Sequence, residues 1–412
     1  MRNRTILKED YSFIVAGDTC DVTADADGFY WKDTRYLREY RWEFTEKYNV
    51  LSRWEDYHDR VEFILSWFDD PSQHIGITRQ VTILKRGFTD SFLVENTDLV
   101  DHRFAADLHL QVDFSDVFIA RGFESRAERS VLVTPAAAAV TFLDELSSDE
   151  LVVRYRADGP ASISWNGDTI QVRADLAPRE TIRVSVTTEV VNRGVQRGDE
   201  RFAEGPELPV TRRWLQRLDE HRAVWQLTDV EYRVARQAAT DLRALLLASP
   251  DGIIPAAGIP WFAAAFGRDS IITSIFAKAL YPELIAGTLQ FLAHHQGRET
   301  NDFRAEAPGK IMHELRFGEL TRSGRVPYSP YYGTVDATPL FVILVGEALA
   351  SGESDIGESI EPAVAGALRW MESDGDGNGD GFLDYESGAH DGGLTVQSWK
   401  DSGESMSHRD GS

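Results

Sequence analysis

The chain has 412 residues, 42% of them hydrophobic and 11% aromatic, enough for a large interior and roughly two domains. A formal charge of −24 argues against nonspecific binding to nucleic acid or to anionic membrane, and a neutral partner fits better. Lysine is confined to Lys8, Lys32, Lys47, Lys85, Lys278, Lys310 and Lys400, and this excess of acid over lysine predicts adaptation to high salt, where screening tames self-repulsion. Cys20 stands alone, so no intramolecular disulfide can form and a reducing cytoplasm is permitted. The first ten residues turn acidic before a signal-peptide core can form, and no run of about 18 apolar residues occurs, so the expected location is cytoplasmic.

From about residue 10 to 200, short apolar alternations are broken by polar turns. Segments 130–133, 140–143, 151–155, 161–165, 169–173 and 181–186 recur at hairpin spacing, and Asn166-Gly167-Asp168 is a tight-turn signal. The pattern predicts an antiparallel β-sandwich over 1–205. Past Gly205-Pro206 the period changes to that of helices. A charged linker helix is expected within 206–227, and a second begins at Thr228 as cap, with apolar positions Val230, Val234, Ala238, Leu242, Leu245 and Leu246. Further helices are predicted at 269–280, 282–296, 335–350 and 357–372, the last with Ile360, Val364, Leu368 and Met371 on one face. That makes about six helices over 206–412, separated by long loops at 251–268, 297–334 and 373–400; loops this long in a compact domain are usually functional.

Every candidate chemical residue lies in or beside one of those loops. Asp401 sits between Trp399-Lys400 and Ser402-Gly403, where apolar neighbours would hold a proton on the carboxyl and Lys400, if turned inward, would oppose that. The competing reading is a helix cap. Glu404, three residues on, shares a face with Asp401 if the segment is helical, and equally suits the third position of a capping box. Arg268-Asp269 follows Trp261-Phe262 and Phe266-Gly267; aromatic faces suit the apolar side of a pyranose, while Arg and carboxylate suit adjacent hydroxyls, or simply each other. Tyr331-Tyr332 with Asp336, and His313-Glu314-Leu315-Arg316 with Glu319, repeat the aromatic-plus-charge theme, and convergence of these loops would be more telling than any one of them.

Asp374-Gly375-Asp376-Gly377-Asn378-Gly379-Asp380-Gly381 begins like a calcium loop, but Tyr385 stands where its last acid belongs, Glu386 comes one place late, and Gly381 replaces the usual branched apolar residue. A solvated turn is the favoured reading. His294 and His295 point about 100° apart on a helix, poor geometry for a shared metal. No metal or organic cofactor is expected. No phosphate-cradling loop or nucleophile elbow is present.

At Gly28-Phe29-Tyr30-Trp31-Lys32-Asp33-Thr34-Arg35-Tyr36-Leu37, Pro260-Trp261-Phe262, Phe266-Gly267-Arg268-Asp269-Ser270, Tyr332-Gly333-Thr334-Val335-Asp336-Ala337-Thr338-Pro339 and Trp399-Lys400-Asp401-Ser402, the chain resembles the amylo-alpha-1,6-glucosidase, or glycogen-debranching, family. The resemblance implies an α+β multidomain protein: an N-terminal β-sandwich followed, over 228–412, by the first half of an (α/α)6 toroid. It implies that Asp401 is the general acid of an inverting hydrolysis of glycogen-like α-glucan. Trp261, Phe262, Arg268, Asp269, Tyr332, Asp336, Trp399, Lys400 and Glu404 would line the sugar site. Such a toroid has twelve helices and carries its general base, a Glu, late in the second half, so the expectation is a fragment, or a split enzyme completed by a second chain, with little activity alone. A trehalase-like glucosidase and a non-catalytic carbohydrate-binding protein are the alternatives.

Overall fold

In a computed structural model of the protein, the described residues are 4–23, 26–45, 48–67, 75–124, 128–192, 205–352, 360–385 and 393–400. The chain divides into two compact units, Met1–Asp199 and Glu200–Ser412.

In the first unit, strands Thr5–Glu9 (β1), Ser12–Ala16 (β2), Gly28–Trp31 (β3), Thr34–Phe44 (β4), Tyr48–Asp56 (β5), Arg60–Trp67 (β6), Ile75–Leu84 (β7), Gly87–Asn96 (β8) and His102–Asp116 (β9) precede a single-turn helix, Val117–Ala120 (α1). Then follow Val131–Ala136 (β10), Ala139–Asp144 (β11), Asp149–Asp158 (β12), Ser162–Trp165 (β13), Thr169–Leu176 (β14) and Thr181–Asn192 (β15). They form a seven-stranded sheet in the order β1-β2-β3-β4-β9-β14-β13 and an eight-stranded sheet in the order β10-β11-β12-β15-β8-β7-β6-β5, with every pairing antiparallel. The predicted antiparallel, β-rich N-terminal region is therefore present. Alternate side chains of β7 are buried, as two-faced strands require. Between the sheets Phe88 of β8 meets Phe29 of β3 edge-on at 5.3 Å and Tyr40 of β4 at 5.0 Å. The turn at Asn166 is as expected: its Oδ1 accepts from the Asp168 and Thr169 amides, and Gly167 has φ 110. Cys20 is buried, and burial pushes its thiol up to about 12.

In the second unit, six helices longer than ten residues appear among the described residues: Thr211–His221 (α2), Asp229–Leu245 (α3), Gly267–Ala277 (α4), Glu283–His294 (α5), Ala337–Ala350 (α7) and Ile360–Glu372 (α8), with a single turn at Glu319–Arg322 (α6). None is long and apolar enough to cross a membrane. Thr228 caps α3 in a reciprocal capping box with Glu231. The buried faces differ from those expected. In α3, Val230 and Val234 are exposed, while Ala239, Thr240, Arg243 and Ala244 are buried, because α2 approaches closely enough for Trp214 Nε1 to donate to Ala239 O at 2.8 Å. In α8 the buried positions are Ile360, Ala363, Gly366, Ala367 and Trp370, not the stripe through Leu368, because a loop backbone presses on Gly366: a Cβ at Gly309 would lie 2.2 Å from its carbonyl oxygen. Small residues, rather than the largest apolar ones, set both contacts.

The loops predicted at 251–268 and 297–334, together with residues 246–249 before them, hold a sheet that the sequence reading missed, Leu246–Ser249 (β16), Gly252–Gly258 (β17), Phe262–Phe266 (β18) and Glu314–Leu315 (β19), paired in that order. Leu246 thus belongs to a strand rather than to α3. Pro255 lies within β17, Gly258 ends it and Pro260 sits in the turn before β18, and such residues usually mark loops.

Candidate functional site

β18 runs directly into α4, and this junction fixes the first charged pair. Gly267, the first residue of α4, donates its amide to His313 O at 2.8 Å, and a Cβ there would fall 2.1 Å from Met312 O. No larger residue fits without moving backbone, so the path of the chain into Arg268 is fixed. β19 lies on the other side of β18, with Phe266 opposite Glu314, and Glu314 bridges in turn to Tyr331. Beneath the junction, Arg316 Nε donates to Glu314 Oε2 at 2.6 Å and its guanidinium lies 5.2 Å from the Phe266 ring centroid. Both members of this pair are buried, as is His313, whose ring meets Phe266 edge-on at 5.4 Å.

Arg268 gathers three segments. Its Nη1 donates to Asp336 Oδ2 at 3.1 Å and to Ser398 O at 3.3 Å, and its guanidinium carbon lies 5.4 Å from the Trp399 ring. Asp269 Oδ2 stands 3.8 Å from Arg268 Nε. Thr334 Oγ1 donates to Asp336 Oδ1 at 2.6 Å, so both carboxylate oxygens of Asp336 are held. Backbone contacts lace the same segments: Val335 N donates to Gln397 O at 2.8 Å, and Leu394 N to the Tyr331 hydroxyl at 2.8 Å. Burial, partly offset by the Leu394 amide, raises the Tyr331 pKa.

The expected site residues therefore fall into groups. Arg268, Asp269, Asp336 and Trp399 are together. Trp399 is 62% exposed although its ring lies against a largely buried guanidinium. Phe262 is exposed at 42%, its ring 5.9 Å from that of Phe266, and Trp261 beside it is half-buried. Lys400 is exposed. Tyr332 is placed differently: its ring is buried, its hydroxyl donates to His295 O at 2.8 Å and its amide to Arg304 O at 2.8 Å, so it braces the chain after α5. Burial raises its pKa well above that of a free phenol. Asp401 and Glu404 lie outside the described residues, as does Glu386. The role of Thr334 went unread in the sequence; its signal is a hydroxyl two residues before a carboxylate at a helix start.

The other candidates are local. Asp376 accepts from the Asp380 and Gly381 amides, Asn378 from Asp380, and Asp380 from Phe382, each at 2.9 Å, so these side chains fold their own turn. His294 Nδ1 meets Asp251 at 2.9 Å and His295 Nδ1 meets Phe291 O at 2.8 Å, while burial lowers the His295 pKa. Among the described residues no cluster of three His, Cys, Asp or Glu is arranged to hold a metal. A cavity of about 590 Å³ is lined by Asp251, Gln290, His294, Gln296, Arg298 and Pro362 among others, and by none of the expected site residues.

Residues 7–187 match the N-terminal domain of (some) glycogen debranching enzymes, which supports the family resemblance. No curated protein matches. Among solved structures, a galactose mutarotase-like protein from Lactobacillus casei is 8% identical, covering 46% of this chain and 100% of its own, with a TM-score of 0.32. A putative aldose 1-epimerase from Escherichia coli is 9% identical over 46% of this chain and 99% of its own, at 0.27. A glycoside hydrolase of family 81 from Clostridium thermocellum is 8% identical over 94% of this chain and 70% of its own, at 0.26.

Proposed function

We propose that this chain carries the acid side of an inverting glycoside hydrolase that releases α-1,6-linked glucose from the branch stubs of glycogen-like α-glucan. The observation that carries the reading is the Arg268 junction. An exposed indole rests on a largely buried guanidinium, two carboxylates stand beside it, and Asp401 follows the indole by two residues. Planar apolar surface next to fixed acceptors is what a pyranose needs, one face for its C–H groups and an edge for its hydroxyls. The match of residues 7–187 supports the debranching class.

In this proposal Asp401 protonates the departing glycosidic oxygen. Trp399, Phe262 and Trp261 supply ring surface, Asp269, Asp336, Lys400 and Glu404 supply polar contacts, and Tyr332 shapes the loop behind them. The rest of a helical toroid, with the carboxylate that activates water, belongs to the same proposal, supplied by further residues of the same polypeptide or by a second chain. So do a cytoplasmic location and adaptation to high salt.

The test compares glucose released from a branched limit dextrin with that from trehalose, for the chain and for Asp401→Asn. Dextrin-dependent release that falls by about 10² or more in the variant supports the reading, that being the usual scale of general acid catalysis. Trehalose preference moves the assignment to a trehalase-like enzyme. Glucan binding with no turnover in either protein is also what a chain without its general base gives, and it moves the assignment to a carbohydrate-binding protein only if added azide, a nucleophile that needs no general base, leaves the dextrin uncleaved as well.

A further inference from the structure

The pairing of Arg268 with Trp399 allows a sharper assignment, which rests on the reading of Trp399 as a sugar platform. We infer that Arg268 is a positioning residue that builds this platform, rather than a ligand of the sugar. Three observations carry it. Arg268 Nη1 is already shared between Asp336 Oδ2 and Ser398 O, at 3.1 and 3.3 Å. The guanidinium lies against the Trp399 ring, and its side chain is only 11% exposed while Trp399 is 62% exposed. The backbone from which the arginine departs is fixed at Gly267, where a Cβ would fall 2.1 Å from Met312 O.

A flat cation behind an indole does two things. It fixes the ring plane, which otherwise rotates freely on an exposed segment, and it fills one face so that the other is the face left for a ligand. The hydrogen bond to Ser398 O restrains the backbone next to the same ring. Asp336 and Thr334 hold the arginine in turn. Order thus passes from α4 and the start of α7 into 397–399, and sugar affinity gains because the platform is arranged before the ligand arrives.

The test uses the full chain and panose as probe, with Trp399 emission isolated as the difference between wild type and Trp399→Phe. In Arg268→Gln, acrylamide quenching of Trp399 should rise about twofold in the ligand-free protein, and panose affinity should fall about three- to tenfold, the scale of one cation–ring contact. Combining Arg268→Gln with Trp399→Ala should weaken panose no further than Trp399→Ala alone, since both remove the same platform. If quenching stays unchanged while the two affinity losses add, Arg268 binds sugar directly and the inference is overturned. Should Arg268→Gln fail to fold, Asp336→Asn provides the same comparison: a rise in Trp399 quenching supports the chain of support, and unchanged quenching overturns it. Increased quenching in a protein that binds no panose at all retains the positioning role and removes the sugar reading instead.

Discussion

Arg79 in the sandwich and Lys310 in the helical unit are both buried cations, and they are treated in opposite ways. Arg79 donates through Nε and Nη2 to Asp90 at 3.1 and 2.8 Å and through Nη1 to Thr19 O and Asp21, while Tyr40 and Trp42 complete the shell of Asp90. Burial pulls the guanidinium down, but Asp90 and Asp21 outweigh it, and the pKa ends above that of ordinary arginine. Lys310 has a carbonyl, Ala305 O at 3.2 Å, and the ring of Trp370 at 5.5 Å. Burial alone acts on it and pushes its pKa down to about 8. Depth is common to both, so the partner set decides whether the charge is held or expelled.

The largest effect should come from breaking the complete set. Asp90→Asn keeps the shape but leaves Arg79 charged with Asp21, 3.2 Å away and partly exposed, as its remaining counter-ion, which should cost about 3 kcal/mol. Urea unfolding followed by hydrogen exchange of first-unit amides would measure it, and a loss under about 1 kcal/mol would contradict the account. Replacing both charges, as Arg79→Met with Asp90→Leu, should recover only part of that loss: the desolvation of both ions disappears with them, but the Tyr40 hydroxyl and Trp42 Nε1 lose their acceptor.

A smaller change of opposite sign is expected at Lys310. Its folded pKa of about 8 lies below the 10.5 of a free lysine, so between these values the unfolded chain binds more protons. Stability should therefore rise with pH across that window, while the penalty is fully present below it. Lys310→Met should stabilise at pH 7 by up to about 3 kcal/mol, the free-energy equivalent of the shift, and abolish this part of the rise. Urea midpoints of both proteins at pH 7 and pH 10 give the answer. A variant less stable at pH 7 would mean that the ammonium is held by something stronger than a carbonyl and a ring.

The same contrast explains what could be read in advance. Alternation along β7 puts Arg79 on the buried face with Ile77 and Val81, and alternation along β8 does the same for Asp90, so opposite charges on interior positions of neighbouring strands are visible from period two. In α4 and α7 apolar residues go nearly all round, so the pattern does not say which side faces the interior. Period also fails across β17 and β18, where Pro255, Gly258 and Pro260 read as loop residues, although β18 leads directly to Arg268. Among site residues, the neighbours of Arg268 were legible as types but not as partners. Their meeting depends on pairings between segments more than sixty residues apart, such as Arg268 with Asp336 and with Ser398.

Arg103 supplies the limiting case, in which the partner is present and the depth is absent. Its Nε lies 3.2 Å from Asp175 Oδ1 across the β9–β14 pair, with side chains 93% and 83% exposed. Water already solvates both ions, so the ion pair replaces good hydration with a contact of similar free energy and must also restrain two side chains. Arg103→Ala should change stability by no more than about 0.5 kcal/mol, and raising KCl should shrink even that. Thermal midpoints of the two proteins at low and molar salt measure both quantities. A loss approaching that of Asp90→Asn would mean that pairing governs these charges whatever their depth, and that burial adds nothing to what is at stake at Arg79.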